Sequence, residues 1–210
     1  PKATMPAKSN SHFILVPPIN ITTAPIIAMI ITPEMCFSAA IRMRDTGRIL
    51  SFDIHESKLP LISDGAARLG LGSIEVGERD ATDPDQSLFG VADRVLCDAP
   101  CSGLGVLSKK PDLRYLPLQR LSELPPLQLK ILRSVSQYVR PGGRILYSTC
   151  TLNRDENEGV FLKFLEENPE FRPLDFTVSD LSSSDGMLTL YPHIHRTDGF
   201  FMALAVRDLP

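Results

Sequence analysis

RILSFDIHESKLPLISDGAARLGLGSIEVGER, residues 48–79, is the stretch whose reading decides the architecture. Arg48 to Asp53 is a short apolar run that reads as a buried strand. His55 to Leu69 predicts a helix, because Leu59, Ile62, Ala66 and Leu69 recur on one face. Gly70 and Gly72 bracket its exit, and Ser73 to Arg79 reads as a second strand.

The alternation continues outward from this unit. Asp93 to Cys97 predicts a third strand, with a loop from Asp98 to Gly105 directly after it. Pro125 to Val139 predicts a helix with Leu127, Ile131, Leu132, Val135 and Val139 facing inward. Pro141-Gly142-Gly143 reads as a turn, and Arg144 to Ser148 as the fourth strand. Asn153 is placed as an N-cap with Glu156 three residues on, for a helix that ends near Glu167, before Pro169. Residues 175–199 read as a loop, and Phe200 to Val206 as a closing strand. Alternating strands and helices predict an α/β fold with a mostly parallel central sheet and helices on both faces. Ligands of such sheets bind at the carboxyl ends of the strands. Asp53, Asp80, Asp98 and Cys150 all fall at or just beyond a predicted strand end.

At 210 residues, 43% hydrophobic and 22% charged, the chain fits one globular domain that buries a core without disulfides. No apolar run approaches the roughly 20 residues of a bilayer-spanning helix. The nearest, Ile19 to Ile31, is broken by Pro25. No basic start leads into a clean apolar stretch, so a soluble cytoplasmic protein without a membrane partner is expected. Cys36, Cys97, Cys101 and Cys150 lack paired C-x-x-C spacing, which favours free thiols over a zinc site. His193-x-His195 has no third ligand nearby, so no metal is expected. No G-x-G-x-x-G follows a strand, which argues against a dinucleotide enzyme. The net charge is −3, yet the segment from Cys101 to Cys150 holds eight Lys or Arg against Asp112 and Glu123, a local balance of +6. The remainder therefore carries −9, and the basic segment is suited to phosphate contacts.

Two motifs carry the chemistry. Asp98-Ala99-Pro100-Cys101-Ser102-Gly103 follows a hydrophobic strand, and Tyr147-Ser148-Thr149-Cys150 ends another. Cysteines are usually buried fillers, which suits Cys36 and Cys97. Two thiols at equivalent ends of two strands can instead face one cleft. With the basic KKPDLRY stretch, the later PGGRILYSTC, the N-x-x-E-N-E run and the closing Asp198-Gly199-Phe200-Phe201, residues 47–206 resemble the RNA cytosine-5 methyltransferases of the RsmB/Sun type, closest to the bacterial enzymes acting on small-subunit ribosomal RNA.

That resemblance implies a Rossmann-like class I methyltransferase fold with an antiparallel C-terminal strand. It implies an enzyme that uses S-adenosylmethionine to methylate carbon 5 of a cytosine in RNA, as a monomer. Cys150 would attack carbon 6, Asp98 would bind the cytosine edge, and Cys101 would help remove the carbon-5 proton. Asp53 would take the ribose hydroxyls, Asp80 the adenine amino group, and Asp98 would also lie near the methionine end. Lys109, Lys110 and Arg114 would contact RNA phosphates. Lys58 reads as a solvated helix residue within reach of the cofactor.

Residues 1–46 depart from the pattern and read as an atypical or degraded segment ahead of a catalytic domain at 47–210. They contain no glycine and have six prolines within residues 1–33. The resembling enzymes carry D-x-C-A-A-P-G-G-K after the first strand, where this chain has Ala28-Met29-Ile30-Ile31-Thr32-Pro33-Glu34-Met35. The match resumes near Cys36, the pattern that a shifted reading frame leaves. Phe13 to Val16 or Ile26 to Ile31 are the candidates for the first strand, though neither supplies the glycine loop. No residue here matches the amino-terminal RNA-binding portion of such enzymes. A relative that binds RNA without methylating it is the alternative.

Overall fold

A computed structural model describes residues 25–30 and 33–210. Its strands are β1 (Ile26–Ile30), β2 (Arg48–Asp53), β3 (Ile74–Glu78), β4 (Ala92–Asp98), β5 (Val139–Thr149), β6 (Phe171–Pro173), β7 (Thr177–Val178), β8 (Leu181–Ser182), β9 (Met187–Leu190) and β10 (Phe200–Arg207). The helices are α1 (Pro33–Arg42), α2 (Leu59–Leu69), α3 (Leu118–Ser136), α4 (Glu158–Glu167) and the short α5 (Pro192–His195). The main sheet runs β3-β2-β1-β4-β5-β10-β6, with β9 also on β10. Strands β1 to β5 are parallel, while β10 is antiparallel to β5. This is the Rossmann-like methyltransferase arrangement, with the order turning at β1.

Side chains of neighbouring strand residues leave opposite faces of the sheet. Ile27 accordingly joins Cys36, Ala40, Met43, Ile49, Ile62 and Leu96 in the layer beneath α1 and α2. Ala28 points the other way, into the larger core of Val95, Leu132, Val135, Phe161, Phe164 and Phe201 under α3 and α4. Each large apolar side chain buried there contributes about 1.5–3 kcal/mol. A strand buried on both faces has no polar side, which is why residues 26–30 show no period.

Of the candidates for the first strand, Ile26–Ile30 takes the central position between β2 and β4. Phe13 to Val16 lies outside the described residues. The start of β1 is fixed by Asp93, whose Oδ2 accepts the Ile26 N–H at 2.8 Å.

Several boundaries differ from expectation. The helix after β2 begins as a three-ten turn, Glu56–Lys58, before α2. Helix α3 starts at Leu118 and contains Pro125 and Pro126, so proline does not open it. Neither proline donates an N–H, and the carbonyls of Leu121 and Ser122 lose their i+4 partners. The extra turns are held by side chains, with Ser122 Oγ donating to Gln119 O at 2.8 Å. Pro141-Gly142-Gly143 is a bulge within β5 rather than a turn before it: Ala92 pairs with Val139 and Arg94 with Arg144. Gly142 takes φ +73°, which glycine adopts without strain. Residues 175–199, expected as loop, hold β7, β8, β9 and α5. These pieces are too short to show a period.

Candidate active site

The site grows out of the pairing between β4 and β5. Asp98 is in register with Ser148, and Ala99 N–H donates to Ser148 O at 3.0 Å. The segments that follow each strand therefore leave the same sheet edge side by side. Gly105 N–H donates to Cys150 O at 3.0 Å, and Gly199 N–H to Gly105 O at 2.8 Å. A Cβ on Gly105 would stand 2.1 Å from Gly199 O, so this three-way crossing admits no side chain.

Cys101 and Cys150 meet there, both partly exposed, with sulfurs 3.3 Å apart. The Cys150 backbone N–H also points at Cys101 Sγ, at 3.3 Å. One proton shared between two thiols makes them unequal. Donation from Cys101 holds the Cys150 thiol below the ordinary range, with a smaller contribution from the charge of Lys110. The same hydrogen bond, then burial, pushes Cys101 far up, so Cys101 keeps its proton. The pair thus favours ionisation at Cys150 over Cys101, and the thiolate is the nucleophilic form. Cys36 and Cys97 are buried fillers, as expected. Burial raises Cys36 to about 11 and Cys97 further.

Asp98 ends β4 beside this pair. Desolvation lifts its carboxyl to about 6, against a hydrogen bond from Ser148 Oγ at 3.1 Å that favours the charged form. A carboxyl at about 6 can both hold and release a proton near neutrality.

The other two acids stand at neighbouring strand ends. Asp53, at the end of β2, accepts His55 N–H at 2.9 Å on Oδ1 and pairs with Lys58 Nζ at 3.1 Å on Oδ2. Lys58 thus reaches the site edge instead of pointing only into solvent. Asp80 lies in the exposed loop beyond β3 and accepts Thr82 N–H at 2.8 Å, which with the Thr82 hydroxyl lowers its carboxyl. Among the described residues both carboxylates keep acceptor positions open, the chemistry that suits a ribose diol and an exocyclic amine. Helix α1 opens at Pro33, only Ile31 and Thr32 separate it from β1, and none of these residues is glycine.

Lys109, Lys110 and Arg114 are exposed on the segment that leads into the three-ten helix Pro111–Tyr115. Lys109 is bound to Asp198 at 2.5 Å. The Lys110 charge is close enough to lower the Cys150 thiol. Next to the thiols an open groove of about 490 Å³ has Leu104, Leu118, Leu121 and Leu152 in its walls. His195 Nδ1 accepts Tyr191 N–H at 2.8 Å within α5, a local structural bond. Among the described residues no group of three or more His, Cys, Asp or Glu is placed to hold a metal ion.

The sequence reading missed the support beneath the thiols. Glu156 is fully buried and faces Ser102, Gln128 and Asn153. Helix α4 begins at Glu158, after Asn157, so the expected capping role of Glu156 is not what it does. Its place in the N-x-x-E-N-E run was the available signal.

Comparison with known proteins places the chain among relatives. The family described as 16S rRNA methyltransferase RsmB/F matches residues 34–206. The probable ribosomal RNA small subunit methyltransferase B of Bacillus subtilis is 39% identical over 169 residues, covering 76% of this chain and 38% of that protein. Its counterpart in Synechocystis is 40% identical over 168 residues, covering 77% and 38%. The crystal structure of NSun6 from Pyrococcus horikoshii with SFG superposes with a TM-score of 0.74 at 29% identity, covering 88% of this chain and 48% of that one. The chain thus spans well under half the length of the curated relatives it matches.

Proposed function

Because this chain belongs to the 16S rRNA methyltransferase RsmB/F family, we propose that it methylates carbon 5 of a cytosine in ribosomal RNA, using S-adenosylmethionine, through a covalent Cys150–cytosine adduct. The observation that carries the reading is the thiol pair at 3.3 Å, whose shared hydrogen bond lowers Cys150 and raises Cys101.

Carbon 5 of cytosine is a poor nucleophile until carbon 6 is saturated. The Cys150 thiolate adds to carbon 6, and the ring π pair moves toward carbon 5 and the N3 edge. Asp98 faces that edge. It accepts from the exocyclic amine and, because its carboxyl titrates at about 6, can lend a proton to N3 as charge builds there. S-adenosylmethionine supplies an electrophilic methyl group on a sulfonium. Asp53 and Asp80 are the residues suited to its ribose hydroxyls and adenine amine.

The order of events follows from the pair. Cys101 holds its proton mainly through its hydrogen bond with Cys150. Once Cys150 becomes a thioether that cause is gone. Cys101 can then release its proton to solvent and, as a thiolate, take the one on the methylated carbon 5, while N3 returns its proton to Asp98. The carbon 5–carbon 6 double bond re-forms, the Cys150–carbon 6 bond breaks, and the thiolate returns. The target base must be unstacked to reach the cleft. The reaction so written needs no metal, and the side chains it uses all come from one copy of the chain.

A second reading rests on the glycine-free connection between β1 and α1. Glycine lets a backbone approach a ligand closely, and a sequence without it at this point suits a relative that binds RNA without methylating it. Incubation with small-subunit ribosomal RNA and S-adenosylmethionine, followed by nucleoside mass analysis, separates the two. New 5-methylcytidine that disappears in Cys150→Ala supports the first reading. RNA retention without 5-methylcytidine supports the second.

A further inference from the structure

We infer that Glu156 is the positioning residue that fixes the separation of the two thiols by tying both of their loops to α3. The inference rests on the proposed reaction for its meaning, but its test needs neither RNA nor cofactor. The Glu156 side chain is wholly inaccessible. Its Oε2 accepts Ser102 N–H at 2.8 Å and Gln128 Nε2 at 2.9 Å, and Oε1 accepts Asn153 Nδ2 at 3.0 Å. Its own carbonyl accepts the Tyr147 hydroxyl at 2.6 Å. Gln128, equally inaccessible in the middle of α3, gives a further N–H to Pro100 O at 2.9 Å.

Cys101 is therefore held from both sides, through Pro100 and Ser102. Cys150 is held through Tyr147 before it and Asn153 after it. Ser102 Oγ and Thr151 Oγ1, at 2.7 Å, join the residues that follow the two cysteines. Hydrogen bonds to a charged acceptor are shorter and about twice as strong as neutral ones. A carboxylate is required because every partner is a donor. An amide at the same place would turn an NH₂ toward either Ser102 N–H or Asn153 Nδ2.

That mismatch supplies the test. The pH dependence of iodoacetamide alkylation at Cys150 is followed by peptide mass analysis. The parent should react with a midpoint below the ordinary thiol value of about 8.5. Glu156→Gln should raise the midpoint by about one pH unit or more, because the thiol–thiol hydrogen bond lengthens. Adding Asn153→Asp exchanges donor for acceptor opposite the amide and should restore it. Val160→Ala, a buried change in α4 away from the loops, should lower stability without moving the midpoint.

If Glu156→Gln does not fold, Gln128→Met carries the test, since it removes the tie to Pro100 and should also raise the midpoint. A folded Glu156→Gln with the parent midpoint overturns the inference, as does a Gln128→Met midpoint equal to the parent's or an equal shift in Val160→Ala. Failure of methyl transfer in the parent would leave this measurement unaffected, so the two claims fail separately.

Discussion

Asp98 is where folding and chemistry oppose each other at the level of one residue. Its carboxyl is lifted from an ordinary 3.8 to about 6 because burial disfavours the charge. Between about pH 4 and 6 the folded state holds a proton that the unfolded state has released, so this group's contribution to stability falls as pH rises through that window. Below the window both states are protonated and nothing is lost. Asp98→Asn removes the charge and keeps an acceptor for Ser148. It should stabilise the protein at pH 7 by about 1–3 kcal/mol relative to pH 4, while abolishing methyl transfer. Urea unfolding at both pH values checks this, and an equal stability difference at both would contradict it. The thiol pair makes a second prediction at the same scale. Cys101→Ala deletes the donor that holds Cys150 down and leaves burial and the Asp98 charge, which both raise it. Its alkylation midpoint should rise above that of the parent.

At the level of elements, the site depends on three segments meeting at one edge of the sheet. Gly105→Ala would drive a Cβ into Gly199 O at 2.1 Å and Cys150 O at 2.8 Å, backbone atoms that cannot swing aside. A loss of about 3 kcal/mol or more is expected, read from chemical denaturation. Ile27→Ala probes β1 in the same way. A cost of about 2–4 kcal/mol would agree with a strand buried between two helical layers, and a cost near zero would not. The chemistry-bearing loops were legible because each is a contiguous run: Asp98 to Gly103 and Tyr147 to Cys150 announce themselves within a few residues. The support was not legible. Glu156 reaches Ser102 across 54 positions and Gln128 across 28, and its spacing from Asn153 imitates a helix cap. Lys109 read as a phosphate contact, but its partner Asp198 lies 89 positions away. The strand β1 was only a candidate because burial on both faces erases periodicity, and the prolines of α3 hid two of its turns.

For the whole molecule, Lys109, Lys110 and Arg114 are exposed on the segment after Cys101, so the proposed RNA binding should carry an electrostatic signature. Lys110→Ala and Arg114→Ala should each weaken RNA binding and reduce the salt dependence by about one counterion, while Lys109→Ala should do less because its charge is already met by Asp198. Filter binding across a salt series reads both quantities, and a Lys109 effect equal to the others would contradict the assignment. The central claim is the division of labour between the two thiols. The most direct test of the central claim is therefore the mass of Cys101→Ala after incubation with cytosine-containing ribosomal RNA and S-adenosylmethionine. The expected result is a denaturation-resistant RNA adduct mapped to Cys150, slow to form but unable to resolve because Cys101 is gone. A stable adduct in Cys150→Ala instead, carried by Cys101, would mean that the two thiols have exchanged roles.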